Sequence, residues 1–240
     1  MDKRRTKEKR RRPSRRRQMQ LRRRMLALTL ILLCLLMVLV IRYVIHRSEL
    51  EESRLNGAAP KAIDWFGAPE IDVQLLTNNE YSRPGIAMGQ IKGIVVHYTA
   101  NPGSSAQANR NYFEGLKDSG ERKASSHFVI GLDGEVIQCI PSSEISYASN
   151  DRNKDTLSIE CCHPDESGEF NKATYTSLVQ LVAWLCKRFD LEASDVIRHY
   201  DVTGKECPKY FVEHEDAWEQ FQQEVSACKD KIIKEEKEEP

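Results

Sequence analysis

Near the end of the chain, the stretch RHYDVTGKECP (residues 198–208) sets an imidazole, His199, an ammonium, Lys205, and a thiol, Cys207, within eleven positions. His97 lies about a hundred residues earlier, at the end of the apolar run IKGIVVHYT. Taken singly, each is as readily a packed or solvated side chain. Taken jointly, two imidazoles and one thiolate on or beside strand ends suffice for a catalytic zinc, because three protein ligands leave the fourth tetrahedral position open to water. Such an ion lowers the pKa of its water to about 7. Hydrolysis then needs a proton acceptor and a group that supports the developing oxyanion. Glu160, central in LSIECC, is a carboxylate on an otherwise apolar strand, where an unpaired charge is costly. It either faces solvent or is employed. Lys205, two positions from Cys207, could bring a cation to the reacting carbonyl; otherwise it is a solvated loop lysine.

These residues carry a resemblance. The segments GIVVHYTANPGSSAQANRNYF, ASSHFVIGLDGEVIQCIP, SIECC and RHYDVTGKECP occur in the order of the zinc N-acetylmuramoyl-L-alanine amidases. That type is shared by phage lysozyme-like amidases, bacterial cell-wall amidases and peptidoglycan recognition proteins, and the match runs over roughly residues 91–221. The resemblance implies zinc ligands at His97, His199 and Cys207, an acid/base at Glu160 and a catalytic lysine at Lys205. It also implies a central mixed β-sheet packed by helices, and cleavage of the amide between N-acetylmuramic acid and L-Ala of the peptidoglycan stem peptide. A non-catalytic muropeptide-binding module on the same fold is the alternative; an anchored scaffold of the envelope is a further one. Two departures stand out. Ser126 precedes His127 where some members have a tyrosine, which shifts the base role to Glu160. The loop before the glutamate strand reads ISYASND, with Tyr147, Ala148 and Ser149 where many relatives carry a histidine. His127 and Ser126 are expected to line the substrate groove.

The elements that must position these groups are legible as alternating strand and helix patterns, an α/β arrangement with a mixed sheet. Ile91–Thr99 is a buried-strand candidate, Ser105–Leu116 a helix with Ala108, Tyr112, Phe113 and Leu116 on one side. SHFVIGLDGEVIQCI is two short strands around Asp133-Gly134, a hairpin signal. Thr156–Cys162 is a strand, on which Cys161 and Cys162 would face opposite ways. Leu178, Val182, Leu185 and Phe189 recur at helical spacing in Thr174–Phe189. DVIRHY is a short strand, and Glu213–Val225 a closing helix.

The formal net charge of zero hides an asymmetry: residues 1–24 hold fourteen Lys and Arg against two acids, so the remainder is correspondingly acidic. The basic block runs into Met25–Ile41, seventeen residues without a charge, and the apolar character resumes through Ile45 after Arg42. About 20 helical residues cross a bilayer, and a cleaved signal peptide usually has a shorter core followed by a small-residue cleavage site. Residues 25–45 therefore read as an uncleaved single-pass membrane anchor. Residues 1–24 form its cytoplasmic basic arm, residues 46–62 a juxtamembrane linker, and residues 63–225 the amidase domain outside the cytoplasmic membrane. Residues 226–240 are a charged tail, expected as a frayed helix end or disorder. The arm lacks interleaved aromatics and a recognition fold, so nucleic acid is not an expected partner. Seven cysteines show no disulfide framework, and most are expected as small buried apolar residues.

Overall fold

The computed structural model of the 240-residue chain describes Met19, Met37, Arg42 and residues 64–238. Apart from those three residues, the expected basic arm, membrane anchor and linker lie outside the described residues. Among the described residues, no helix is long and apolar enough to cross a membrane.

Residues 64–238 build a six-stranded mixed sheet with helices on both faces. In chain order come β1 (Ile71–Val73), β2 (Gly93–Tyr98), α1 (Ala106–Ser119), β3 (Phe128–Ile130) and β4 (Val136–Gln138). They are followed by β5 (Thr156–Cys161), α2 (Lys172–Phe189), β6 (Val196–Arg198), α3 (His199–Thr203), α4 (Lys209–Glu213) and α5 (Glu215–Glu238). The sheet order is β1-β4-β3-β5-β2-β6. All neighbours are parallel except β3 and β4, which form the expected hairpin across a turn where Gly134 takes φ +84°.

Strand alternation sorts the core into two layers. Ile94, Val96, Leu157, Ile159 and Cys161 pack with Leu178, Val182 and Leu185 of α2 and Trp218 and Phe221 of α5. On the opposite face Val129, Ile137 and Cys162 meet Ala106, Phe113 and Leu116 of α1. Cys161 and Cys162 thus do face opposite ways, and Cys139, Cys161, Cys162, Cys186 and Cys207 are buried free thiols. β2 is buried throughout, up to a half-buried Tyr98, because strands flank it on both sides and layers cover both faces.

Three details differ from the sequence reading. The buried stripe of α1 runs through Ala106, Phe113 and Leu116, while Ala108 and Tyr112 face solvent. Phe113 and Tyr112 are neighbours in sequence, but 100° apart around the helix. The strand expected through Tyr200 ends at Arg198, and His199 opens a short helix. Finally, α5 runs on to Glu238 rather than fraying after Val225. Ile232 is buried in the main core, Lys229 caps the Leu191 carbonyl at 2.8 Å, and Glu236 pairs with Lys187 at 2.8 Å. The charged tail is the outer face of an amphipathic helix.

Candidate active site

His97 and Glu160 are brought side by side by register. On the parallel pair β2–β5 they are direct partners, and Val129 continues the row on β3. Both therefore point to the α1 face, at the carboxyl ends of their strands. β6 runs parallel to β2 on its other side, so His199, the residue after β6, arrives at the same end.

The loop that returns Cys207 is built from local chemistry. Arg198 donates its backbone N–H to Asp201 Oδ2 at 2.8 Å and its guanidinium to Asp201 Oδ1 at 2.9 Å and the Phe211 carbonyl at 3.0 Å, and it also pairs with Glu215. This clamp sets the start of α3. Gly204 ends α3 in the left-handed region, φ +76°, with its N–H donating to the Tyr200 carbonyl at 2.7 Å. The chain then doubles back until Tyr200 N–H donates to the Cys207 carbonyl at 2.9 Å. Thus His199 and Cys207 end on one side of a closed loop.

The ligand atoms of His97, His199 and Cys207 lie within 4.8 Å of one another, and all three residues are buried. The two rings meet edge to face at 4.7 Å, and Cys207 Sγ is 3.8 Å from His97 Nδ1. Tetrahedral zinc bonds of about 2.1 and 2.3 Å would separate nitrogen and sulfur by about 3.6 Å. His199 Nδ1 is buried without a partner, as is Glu160 Oε2. A buried polar atom left unpaired costs about 1–3 kcal/mol, so the cluster is arranged for something that would satisfy it. A zinc ion fits this donor set.

The electrostatics agree. Burial, then the neighbouring His199 and Lys205, holds His97 well below the ordinary imidazole range; burial and Lys205 lower His199. Both rings are kept neutral, the state in which imidazole binds metal. Burial and the nearby Glu160 push the Cys207 thiol up to about 12, against the opposing Tyr98 N–H and Lys205. A bound cation would reverse that shift. Burial raises Glu160 to about 8, with Lys205 opposing. Lys205 itself is exposed, and its charge acts on all four of these residues.

Ser126 and His127 are not brought to this surface. Both are fully buried. His127 Nδ1 accepts the Ser158 N–H at 3.0 Å and Nε2 donates to the Glu144 carbonyl at 2.9 Å; Ser126 Oγ donates to the Ser158 carbonyl at 2.9 Å. With their polar atoms committed internally, they lock β3 to β5 rather than meet a substrate. Two residues at the cluster escaped the sequence reading. Ser149 Oγ stands 3.1 Å from His97 Nε2, and Asn150 Oδ1 3.2 Å from His199 Nε2. The one available signal was the departure of ISYASND from the histidine-bearing loop of the relatives.

A mixed sheet with helices on both faces, and two histidines and a cysteine converging at its strand ends, defines a recognisable class. The chain belongs to the N-acetylmuramoyl-L-alanine amidase family, whose profile matches residues 87–210. It is 36% identical over 162 residues to the N-acetylmuramoyl-L-alanine amidase CwlL of Bacillus licheniformis, covering 62% of this chain and 44% of that one. The chain thus spans less than half the length of this curated relative. Among solved structures, PlyL superposes with a TM-score of 0.58 at 26% identity, covering 66% of this chain and 98% of PlyL. The catalytic domain of XlyA gives 0.55 at 26% identity, covering 65% and 99%.

Proposed function

We propose that this protein is a zinc-dependent N-acetylmuramoyl-L-alanine amidase that hydrolyses the bond between N-acetylmuramic acid and the L-Ala of peptidoglycan stem peptides. The observation that carries the reading is the convergence of His97, His199 and Cys207 beside the register partner Glu160. A zinc held by those three side chains would supply Lewis acidity to the scissile carbonyl and to a water. Glu160 takes the proton of the attacking water and returns it to the leaving L-Ala amine. Its carboxyl, raised to about 8, suits a group that must both accept and donate near neutral pH. Lys205, exposed at the rim with its field reaching the cluster, supports the oxyanion.

The same reading takes residues 25–45 as a single-pass anchor, with the amidase domain outside the cytoplasmic membrane. It is supported by the uncharged run Met25–Ile41 and by the fourteen basic residues before it. A wall lying directly outside that membrane would then be within reach of the domain. The names of the relatives support the substrate class.

The test measures zinc content and the appearance of new L-Ala amino termini in purified sacculi, for the wild type and Cys207→Ser. One zinc per chain and released termini are expected from the wild type, with both lost in the variant. A wild type that holds zinc yet releases nothing would instead favour a muropeptide-binding module.

A further inference from the structure

The two candidate zinc-binding histidines share an arrangement that their ligand role does not by itself require. Each ring turns its ε-nitrogen to one of two consecutive residues in the turn that precedes β5. His97 Nε2 faces Ser149 Oγ at 3.1 Å, and His199 Nε2 faces Asn150 Oδ1 at 3.2 Å. On the other side of each ring, His97 Nδ1 looks to the Cys207 sulfur at 3.8 Å, and His199 Nδ1 is buried without a partner. A neutral imidazole carries one N–H and one lone pair, so whichever nitrogen donates leaves the other free to bind metal. A carboxamide oxygen can only accept. It therefore selects the Nε2–H form of His199 and leaves the lone pair on Nδ1.

The turn that carries Ser149 and Asn150 is itself held. Asn153 Oδ1 accepts the backbone N–H of Ala148 at 3.0 Å and of Ser149 at 2.6 Å. Arg152 N–H donates to the Ser149 carbonyl at 2.9 Å, and the Arg152 side chain binds Asp155 Oδ1 at 2.7 Å. Asn150 sits in the left-handed region at φ +52°, which asparagine tolerates better than most residues. Ser149 is buried, so its hydroxyl is fixed against the ring of His97. The hydroxyl and the amide are both neutral; they can orient the rings without adding a charge beside them.

We propose that Ser149 and Asn150 are positioning residues that hold His97 and His199 in the Nε2–H tautomer, so that both Nδ1 lone pairs converge with the Cys207 sulfur on one metal ion. The inference rests on the reading of the cluster as a zinc site. It adds which residues of this chain orient the two rings.

Zinc affinity of the full chain is measured by competition with a chromogenic chelator. Alongside it, long-range proton–nitrogen NMR of protein labelled with 15N only at histidine reads the tautomers of the metal-free protein. Ser149→Ala and Asn150→Ala are each expected to weaken zinc binding by about 10–100-fold, and to add the Nδ1–H form of the ring that lost its partner. Ser149→Thr and Asn150→Asp, which keep an acceptor, are expected to restore both readouts. Cobalt(II)-loaded wild type should show the absorption of a tetrahedral thiolate site, broadened in the alanine variants. Undiminished affinity in both alanine variants, or mixed tautomers in the wild type, overturns this inference alone. A wild type that takes up no zinc sinks the functional reading and this inference with it.

Discussion

Two groups of buried histidines occupy the same face of one sheet and have opposite fates. His127 on one side, and His97 with His199 on the other, are all at most 7% exposed. His127 has both ring nitrogens satisfied by protein atoms, through Ser158 and the Glu144 carbonyl. Around His97 and His199, one ring nitrogen of His199 and one carboxylate oxygen of Glu160 lack such closure. The difference teaches that burial does not by itself mark a site. A packed imidazole is a fastener when its hydrogen bonds close internally; it becomes a candidate ligand when its neighbours leave a lone pair directed at a common point. The site half of the molecule has accepted local instability that the His127 half avoids.

This contrast can be broken by mutation. The largest effect is expected from Glu160→Gln, which should lower the hydrolysis rate on sacculi by about 10²–10⁴-fold, the range for a lost general acid/base. Zinc content should stay at the wild-type level, because Glu160 is not among the three converging ligands. His127→Ala should do the reverse. It is expected to lower unfolding stability in urea by about 2–4 kcal/mol, from the cavity and the unpaired Ser158 and Glu144 groups. The remaining folded protein should keep its zinc. Loss of zinc at wild-type stability in that variant would erase the distinction between the two clusters.

Titration sharpens the same contrast, because the signs differ. Burial lowers His127 to about 4 from an ordinary value of 6.5. Between those values the unfolded chain binds a proton that the folded one refuses, so stability should fall as pH drops from 6.5 to 4, by up to about 3 kcal/mol. Glu160 is raised to about 8, from an ordinary 4.5. In the metal-free protein the unfolded chain releases that proton first, so this group should lower stability as pH rises from 4.5 to 8. Urea unfolding of metal-free protein across this range, compared with Glu160→Gln, should show the fall above pH 6.5 flattened in the variant, and between 4.5 and 6.5, where the two groups oppose each other, a steeper rise with pH than in the wild type. The smallest expected effect is at the rim. Lys205→Ala should slow hydrolysis about tenfold, less than the loss of a preorganised backbone donor, because an exposed flexible ammonium is partly replaced by water.

Much of the fold was legible in the order of residues. Helical recurrence of Leu178, Val182 and Leu185 matches the buried stripe of α2, and Asp133-Gly134 matches the β3–β4 turn. Both signals are local. The misreadings were all matters of what packs on what. The charged face of residues 226–238 suggested a frayed end, yet Ile232 and Lys229 find partners on α2 and the turn before β6. Ser126 and His127 looked like groove residues until the β3–β5 contact consumed their polar atoms.

The sequence alone offered the candidate set: two imidazoles, a thiol, a carboxylate and an ammonium, with His97 and Glu160 inside strand-patterned runs and His199, Lys205 and Cys207 within one stretch of nine residues. Side-chain chemistry and period are properties of neighbouring residues, and those are written in order along the chain. Only the tertiary structure decided that His97 and Glu160 are register partners, that Ser149 and Asn150 turn toward the rings, and that His127 is a fastener. Those outcomes depend on which lone pairs and N–H groups meet across strands and loops some 30 to 110 residues apart, and no local rule lists such meetings in advance.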